Sequence, residues 1–226
     1  MALDESKIRF SELKREGFIP TKRKGPTGIG YTLETALGLK ENNLALPDLD
    51  KIEIKAHRDG SSNLITLFTF NRNVWQINPL DAIRKYGSYD RNNRLGMYYT
   101  MSLKPNSAGL FLTVTESEIS VQHTSGEVIA IWHLATLAER FMQKIPALLF
   151  ISARTEERGG REYFHFYRAQ LMEGTTPELL SDLFKTGDIL VDLRLHDKRT
   201  RARNHGTGFR TSEDKLPKLF THIRDI

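Results

Sequence analysis

Cysteine is absent from the 226-residue chain, so disulfide bonds and thiolate chemistry are excluded. This absence is typical of a reducing compartment, and we expect a cytoplasmic protein. No apolar run reaches the length of about 20 residues that a membrane-spanning helix needs. The first residues, Met1 to Glu5, lack the basic start and apolar core of a secretory signal. We therefore expect neither secretion nor a membrane partner.

Acidic residues are fewer than basic ones, 28 against 33, which gives a net charge of +5 and a pI of about 9.4. This excess weakly favours a polyanionic partner. The hydrophobic fraction of 39% and the charged fraction of 27% are typical of a globular protein. The length suits one substantial domain or two small lobes, and no internal repeat is visible.

Helical and strand-like periodicities alternate along the chain, which predicts a mixed α/β fold. Helices are predicted at 6–17, 31–39, 79–86, 134–143 and 176–184, with a broken helix at 214–220. Strands are predicted at 52–56, 63–70, 97–103, 110–115, 118–123, 128–132, 146–153, 162–171, 189–195 and 207–211. The turn-like residues 57–62 suggest that the first two strands form a hairpin.

Two carboxylates and a lysine surround a short strand-like segment, Pro47-Asp48-Leu49-Asp50-Lys51-Ile52-Glu53-Ile54-Lys55. Because alternate residues of a strand share a face, Glu53 and Lys55 point the same way. Asp48 can reach that face if the chain turns near Leu49. Two carboxylates there suit a hard divalent ion such as Mg²⁺, and the ammonium could orient a water. A surface strand whose charges face water explains the spacing equally well.

Two segments concentrate positive charge. Lys22, Arg23 and Lys24 occupy a loop bounded by glycine and proline, which could bind phosphates or be a solvated linker. Residues 192–210 place Asp192 and Arg194 on one strand face and then crowd cations into a loop. Those cations are Lys198, Arg199, Arg201 and Arg203. This second loop suits a phosphate-lined groove, and the alternative is a flexible, solvated loop.

Several stretches, taken in order, resemble the MvaI/BcnI-type restriction endonucleases, relatives of the mismatch-repair nickase MutH. They are Thr21 to Gly30 with Glu34, Glu41 to Leu44, Pro47-Asp48, Ile52 to Lys55, Leu67 to Thr69, Val191 to Arg194 and His205 to Arg210. Residues 90–145 contribute little to the resemblance, which otherwise covers nearly the whole chain.

The resemblance implies a restriction-endonuclease-like (PD-(D/E)xK, MutH-like) α/β fold with an α+β mixed sheet and two lobes around a DNA cleft. The catalytic lobe would span roughly 1–95 and the DNA-recognition lobe roughly 96–226. It implies Mg²⁺-dependent hydrolysis of phosphodiester bonds in double-stranded DNA at a short CC-x-GG-like site, leaving a 5′-phosphate. It also implies a monomer, with a cognate DNA methyltransferase in the same system but no stable complex with it.

The resemblance also implies roles for individual residues. Asp48 and Glu53 correspond to metal ligands, Lys55 to the residue that positions the attacking water, and Glu34 to a supporting helical acid. Residues that correspond to readers of the outer C·G pairs are Asp192, Arg194 and Arg210. Those that correspond to readers of the centre are Thr69, Arg203 and His205. Arg203-Asn204 departs from the family's His-Asp at that place, which leaves the central base pair open.

Two other functions remain open from the sequence. A MutH-like repair nickase would keep the fold and act with protein partners. A non-catalytic DNA-binding module would use the acids only for structure.

Overall fold

The structure is a computed structural model that describes residues 3–39, 47–48 and 51–226. Within these ranges its α-helices are α1 (Leu3–Glu16), α2 (Gly28–Ala36), α3 (Pro79–Tyr86), α4 (Leu134–Lys144) and α5 (Pro177–Lys185). Its first strands are β1 (Ile19–Pro20), β2 (Ile52–Arg58), β3 (Ile65–Thr69), β4 (Ser88–Tyr89), β5 (Leu95–Met101), β6 (Leu110–Val114) and β7 (Glu118–His123). The remaining strands are β8 (Val128–His133), β9 (Ala147–Arg158), β10 (Arg161–Glu173), β11 (Ile189–Asp197), β12 (Ala202–Asn204), β13 (Gly208–Thr211) and β14 (His222–Asp225). A short 3-10 helix covers Leu216–Leu219.

The chain divides into two compact units, and the first contains Met1–Asn63, Met142–Thr175 and Phe220–Ile226. Its sheet pairs β2 with β9 in parallel and β9 with β10 in an antiparallel ladder. The other edge of β10 pairs with β1 at one end and with β14 at the other. Apolar residues of α1 and α2 pack on this sheet and bury Ile54 of β2. Packing of Ile54 in the core therefore determines which face of β2 is buried.

The second unit contains Leu64–Phe141 and Thr176–Leu219. Its larger sheet is antiparallel, in the order β3-β13-β11-β5-β4, and β12 also pairs with β11. A smaller sheet has the order β6-β7-β8. Phe209 of β13 stacks on Phe68 with ring centroids 4.7 Å apart, and the edges of Trp132 and Phe184 contact it at 5.8 and 5.9 Å. This aromatic cluster anchors β13 beside β11.

Local signals account for the helices that the sequence predicted best. Asn78 caps α3 by accepting a hydrogen bond from the Leu80 amide (2.9 Å), and proline follows it. Thr176 caps α5 by accepting from the Leu179 amide (3.3 Å), again with proline next. Both arrangements satisfy amides that a helix start leaves unpaired.

The predicted hairpin between the second and third strands is wrong. Strand β2 pairs with β9 in the first unit, whereas β3 pairs with β13 in the second. Residues 57 and 58 still belong to β2, and the turn at residues 59–60 leads from one sheet to a different one. Pairing partners nearly a hundred residues away leave no local signal, so short-range turn chemistry was misleading here.

The basic loop predicted after β11 is also shorter than expected. Strand β11 continues to Asp197, and residues 202–204 return as β12. His196 pairs with Arg203 in this ladder. Arg203 is thus on a strand, and the remaining loop cations are at the hairpin's turn.

The mixed α+β class with mixed sheets is confirmed. The units differ from the contiguous division near residue 95, because β9 and β10 return to pair with β2 and so bring residues 142–175 into the first unit. In the part of the chain that the structure describes, no helix has the length and apolarity to cross a membrane.

Candidate active site and nucleic-acid interface

The predicted acidic pair meets at the start of β2. Asp48 accepts a hydrogen bond from the Ile54 amide through Oδ2 at 3.0 Å, so its carboxylate folds back onto the strand. Glu53, the neighbouring strand residue, is buried. Asp48 therefore reaches the head of β2, as the spacing suggested, although the predicted turn at Leu49 lies outside the described residues.

Two ammonium groups contact the Glu53 carboxylate. Lys55 Nζ lies 3.1 Å from Oε1, and Lys144 Nζ lies 2.8 Å from Oε2. The Glu53 side chain is 5% exposed, and the two lysine side chains are 19% and 21% exposed. Lys55 shares a strand face with Glu53, as predicted.

Lys144 arrives from a distant part of the chain. It ends α4, and β9 begins a few residues later at Ala147. Because β9 runs parallel to β2 with Ala147 opposite Ile52, the end of α4 is brought to the head of β2. The parallel register thus explains why the two lysines converge on one carboxylate.

Burial raises the pKa of the Glu53 carboxyl, and the nearby charge of Asp48 raises it further. The two lysines act in the opposite direction but do not cancel the effect of burial. Two carboxylates close enough to repel each other in a buried place form an environment that a bound cation relieves.

The donor set fits Mg²⁺. This ion typically takes one or two carboxylates, and waters and substrate phosphates complete its shell. Asp48 and Glu53 would supply the two carboxylates. Within the described ranges no group of three or more histidine, aspartate or glutamate residues gathers as a metal site. Glu34 is half-buried on α2, which packs against β2, and its supporting role stays a prediction.

The basic loop at Lys22 to Lys24 is held in place at the opposite end of β2. Arg58, the last residue of β2, donates to Glu162 at 2.8 and 3.0 Å and to the carbonyls of Pro26 and Gly25 at 3.2 and 3.3 Å. The five residue steps from Glu53 to Arg58 span about 17 Å of strand. The loop and the acidic pair therefore lie in the same unit but at opposite ends of β2.

The inner side of this loop is packed closely. Thr21 Oγ1 donates to the Arg23 carbonyl at 2.7 Å, and the Lys22 amide donates to Thr32 Oγ1 at 2.9 Å. A Cβ added at Gly28 would lie well inside contact distance of the Arg23 carbonyl oxygen. The Arg23 guanidinium stacks 3.9 Å from the centre of the Tyr31 ring. These contacts make the loop a shaped surface and argue against the linker interpretation.

In the second unit, Asp192 and Arg194 share the polar face of β11, and Arg210 joins them from the neighbouring strand β13. Asp192 accepts hydrogen bonds from Thr100 Oγ1 (2.7 Å) and Arg210 Nη1 (2.5 Å). Arg210 also donates to the Leu64 carbonyl at 2.5 Å. The alternating partners Val191, Leu193 and Leu195 are fully buried, as the strand pattern predicted.

A second group on the same face surrounds His196. His205 Nε2 and the Tyr98 hydroxyl each lie 3.0 Å from His196 Nδ1. Arg194 Nε donates to the Gly206 carbonyl at 3.3 Å, which ties the return segment to β11. Burial lowers the pKa of both histidines, and the surrounding cations, Arg203 among them, lower it further. Both imidazoles are therefore held neutral near pH 7.

Thr69 ends β3 opposite Gly208 of β13. Its side chain is next to Gly206, where an added Cβ would meet it at 3.7 Å. Thr69 therefore lies close to the return segment that carries His205, and the role of both at the centre of the site stays a prediction.

Sequence reasoning missed Lys144, Tyr98, Thr100 and His196. Tyr98 and Thr100 alternate on β5 and pair with Arg194 and Asp192 of β11. Their alternation could have predicted that β5 and β11 together form one polar face. No local signal marks Lys144, because only the pairing of β9 with β2 brings it to Glu53.

The model of the MvaI/BcnI restriction endonuclease family matches residues 7–220. The chain belongs to the MvaI/BcnI restriction endonuclease family. Family membership makes the protein a DNA endonuclease of a restriction system, in agreement with the resemblance noted in the sequence.

Solved structures of this family are similar over the whole chain. The restriction endonuclease MvaI in complex with its cognate DNA is 25% identical, with a TM-score of 0.82, over 100% of this chain and 99% of that one. MvaI in the absence of DNA is 26% identical, with a TM-score of 0.55, over 99% and 97%. These likenesses confirm the predicted fold. A search of curated proteins found no match.

Proposed function

We propose that this protein is a Mg²⁺-dependent type II restriction endonuclease that hydrolyses double-stranded DNA at a short CC-x-GG-like site and leaves a 5′-phosphate. The observation that carries the proposal is the convergence of Asp48, Glu53 and Lys55 at the head of a buried strand, in a chain of a restriction endonuclease family. Acids that served only the fold would not need to be gathered in a buried place, where their repulsion costs stability.

In this mechanism Asp48 and Glu53 would hold Mg²⁺, and the ion would supply polarisation of the scissile phosphate and a lowered pKa for a nearby water. Lys55 orients the attacking water and donates to a non-bridging oxygen as negative charge accumulates there. The water oxygen forms the new bond to phosphorus, and the bond to the 3′ oxygen breaks. The attacking water releases a proton to solvent, the 3′ oxygen takes one from solvent and leaves as a hydroxyl, and the phosphate stays on the 5′ end. Glu34 supports the acidic pair from α2.

Sequence recognition belongs to the polar face of β11. Arginine pairs bidentately with guanine and aspartate accepts from cytosine N4, so Arg194, Arg210 and Asp192 suit the outer C·G pairs. Thr69, Arg203 and His205 read the centre. The basic loop, Lys22 to Lys24, neutralises phosphates without reading sequence. The protein acts as a cytoplasmic monomer that cuts the two strands one after the other, and a separate methyltransferase protects host DNA without forming a stable complex.

Plasmid digestion tests the proposal. Wild-type protein with Mg²⁺ should linearise plasmid at defined positions without a partner, and excess chelator should stop it. Run-off sequencing then gives the site, and direct ligation of the products reports the 5′-phosphate. Replacing Asp48 or Glu53 with alanine should abolish cleavage and leave binding, whereas Glu157→Gln, at an exposed acid of β9, should cut normally. Accumulation of open circles would favour the repair nickase, and cleavage by both alanine variants would refute the assignment.

A further inference from the structure

Among the residues that the structure describes, the head of β2 gathers four charges that sum to zero. Asp48 and Glu53 contribute two negative charges, and Lys55 and Lys144 contribute two positive ones. Each oxygen of Glu53 has its own ammonium partner. A dication that enters this neutral group must either displace an ammonium or leave a net charge of +2 in a largely buried place, which is unfavourable in a medium of low polarity.

We propose that Lys144 makes metal binding by Asp48 and Glu53 depend on a bound DNA phosphate. The inference rests on the proposed function and concerns how its active site is loaded. A phosphodiester brings a negative charge that offsets the incoming dication, and it offers Lys144 an anionic group in place of the carboxylate when the ammonium leaves Glu53 Oε2. Metal and DNA then bind with positive coupling, which by thermodynamic linkage must be reciprocal.

Lys144 carries this role better than Lys55 does. Lys55 is two residues from Glu53 on the same strand face, and the proposed function assigns it to the attacking water. Lys144 is the last residue of α4 and makes the shorter contact, 2.8 Å, directly at a candidate metal-binding oxygen. It is therefore a positioning residue that occupies Oε2 until substrate and metal arrive together.

A purely structural role of Lys144 predicts a different result. If Lys144 only neutralises a buried acid, its removal lowers the stability of the fold but leaves the DNA dependence of metal binding unchanged. The two roles are separated by metal affinity, which is measured without any cleavage.

The experiment is calorimetric titration of Ca²⁺ into the whole protein, alone and with a duplex that carries the mapped site, with a gel to verify that the duplex stays uncut. Wild-type protein should bind the ion at least about tenfold more tightly with the duplex, within the usual range of coupling between sites. Lys144→Met should tighten binding to the free protein by about tenfold and reduce the duplex effect by a similar factor. Lys144→Arg, which keeps the charge, should behave as wild type.

Lys51→Met is the matched control, since it removes an exposed cation next to β2 and should change neither affinity. Equal Ca²⁺ affinity of the wild-type protein with and without duplex would overturn the role of Lys144, even if Lys144→Met does not fold. An unchanged duplex effect in folded Lys144→Met would do so as well. Absence of any metal binding in the presence of duplex would overturn the proposed function together with this inference.

Discussion

Replacing Asp192 with asparagine tests whether the β11 face combines a structural ion pair with base reading. The Asp192 side chain is 8% exposed and its partner Arg210 is 26% exposed, so the pair is largely removed from water. Asparagine keeps the shape and can still accept from Thr100. It loses the charge that faces the Arg210 guanidinium.

These contacts set bounds on how much Asp192→Asn lowers the free energy of unfolding. Breaking a fully buried ion pair costs about 3–5 kcal/mol, and a hydrogen bond to a charged group contributes about 1.5–3 kcal/mol. Arg210 keeps its bond to the Leu64 carbonyl and remains partly in water, which favours the lower range. We expect Asp192→Asn to lower the free energy of unfolding by about 2–3 kcal/mol, or the melting temperature by roughly 5–10 °C for a chain of this length.

Denaturant unfolding gives the stability, and cleavage of matched duplexes gives the recognition. Asp90→Asn is the control, because its pair with Arg94 is 28% and 56% exposed, so solvent screens it and the variant should unfold as the wild type does. In cleavage, Asp192→Asn should lose about 1–3 kcal/mol of discrimination at an outer C·G pair, which is roughly 5- to 150-fold in kcat/KM. A stability change below about 0.5 kcal/mol, within the scatter of ordinary surface substitutions, would refute the structural part. Unchanged discrimination in a folded variant would refute the reading role.

Three further predictions concern the first unit. Burial raises the pKa of Glu53, so its carboxyl contributes fully to stability below its unfolded pKa, and the contribution is lost as pH rises through the folded pKa. When unfolding is measured without metal from about pH 4 upward, Glu53→Gln should remove this decline in stability. Parallel pH profiles of the two proteins would contradict the prediction. Gly28→Ala should lower stability by about 1–3 kcal/mol and weaken DNA binding, because the added methyl group collides with the Arg23 carbonyl. Gly30→Ala, at a helical position where an added Cβ makes only an ordinary contact with Glu34 Oε1 at 3.8 Å, should be neutral or stabilising by up to about 1 kcal/mol in the same melts. Equal losses at both sites would be evidence against the packed loop. The third prediction replaces the loop cations Lys22, Arg23 and Lys24 with glutamine. The slope of log affinity for DNA against log salt concentration should fall by about 0.9 for each phosphate that the loop no longer neutralises. An unchanged slope would show that the loop does not contact DNA.

What the sequence could predict was set by local chemistry. The caps at Asn78 and Thr176 and the alternation around Leu193 involve neighbours within a few residues, and the structure matches them. The grouping of Asp48 with Glu53 and Lys55 was also within reach, because strand periodicity acts over the same short range.

What it could not predict depends on long-range pairing. The parallel ladder of β2 with β9 brings Lys144 to Glu53, and the ladder of β13 with β11 brings Arg210 to Asp192. Arg210 was assigned through resemblance to a family, not through spacing. Neither spacing nor family resemblance indicated Lys144, so the charge balance of the site could be seen only in the structure.

The most direct test of the central claim is the single-turnover rate of DNA cleavage by Glu53→Gln at saturating enzyme and Mg²⁺, measured beside Glu157→Gln. The change keeps the shape of the side chain and removes one of the two charges that would hold the ion. If the head of β2 is the cleavage centre, the rate falls to that of uncatalysed DNA while duplex binding persists and the control cuts at the wild-type rate. A folded Glu53→Gln protein that cuts as fast as its control would place the chemistry elsewhere.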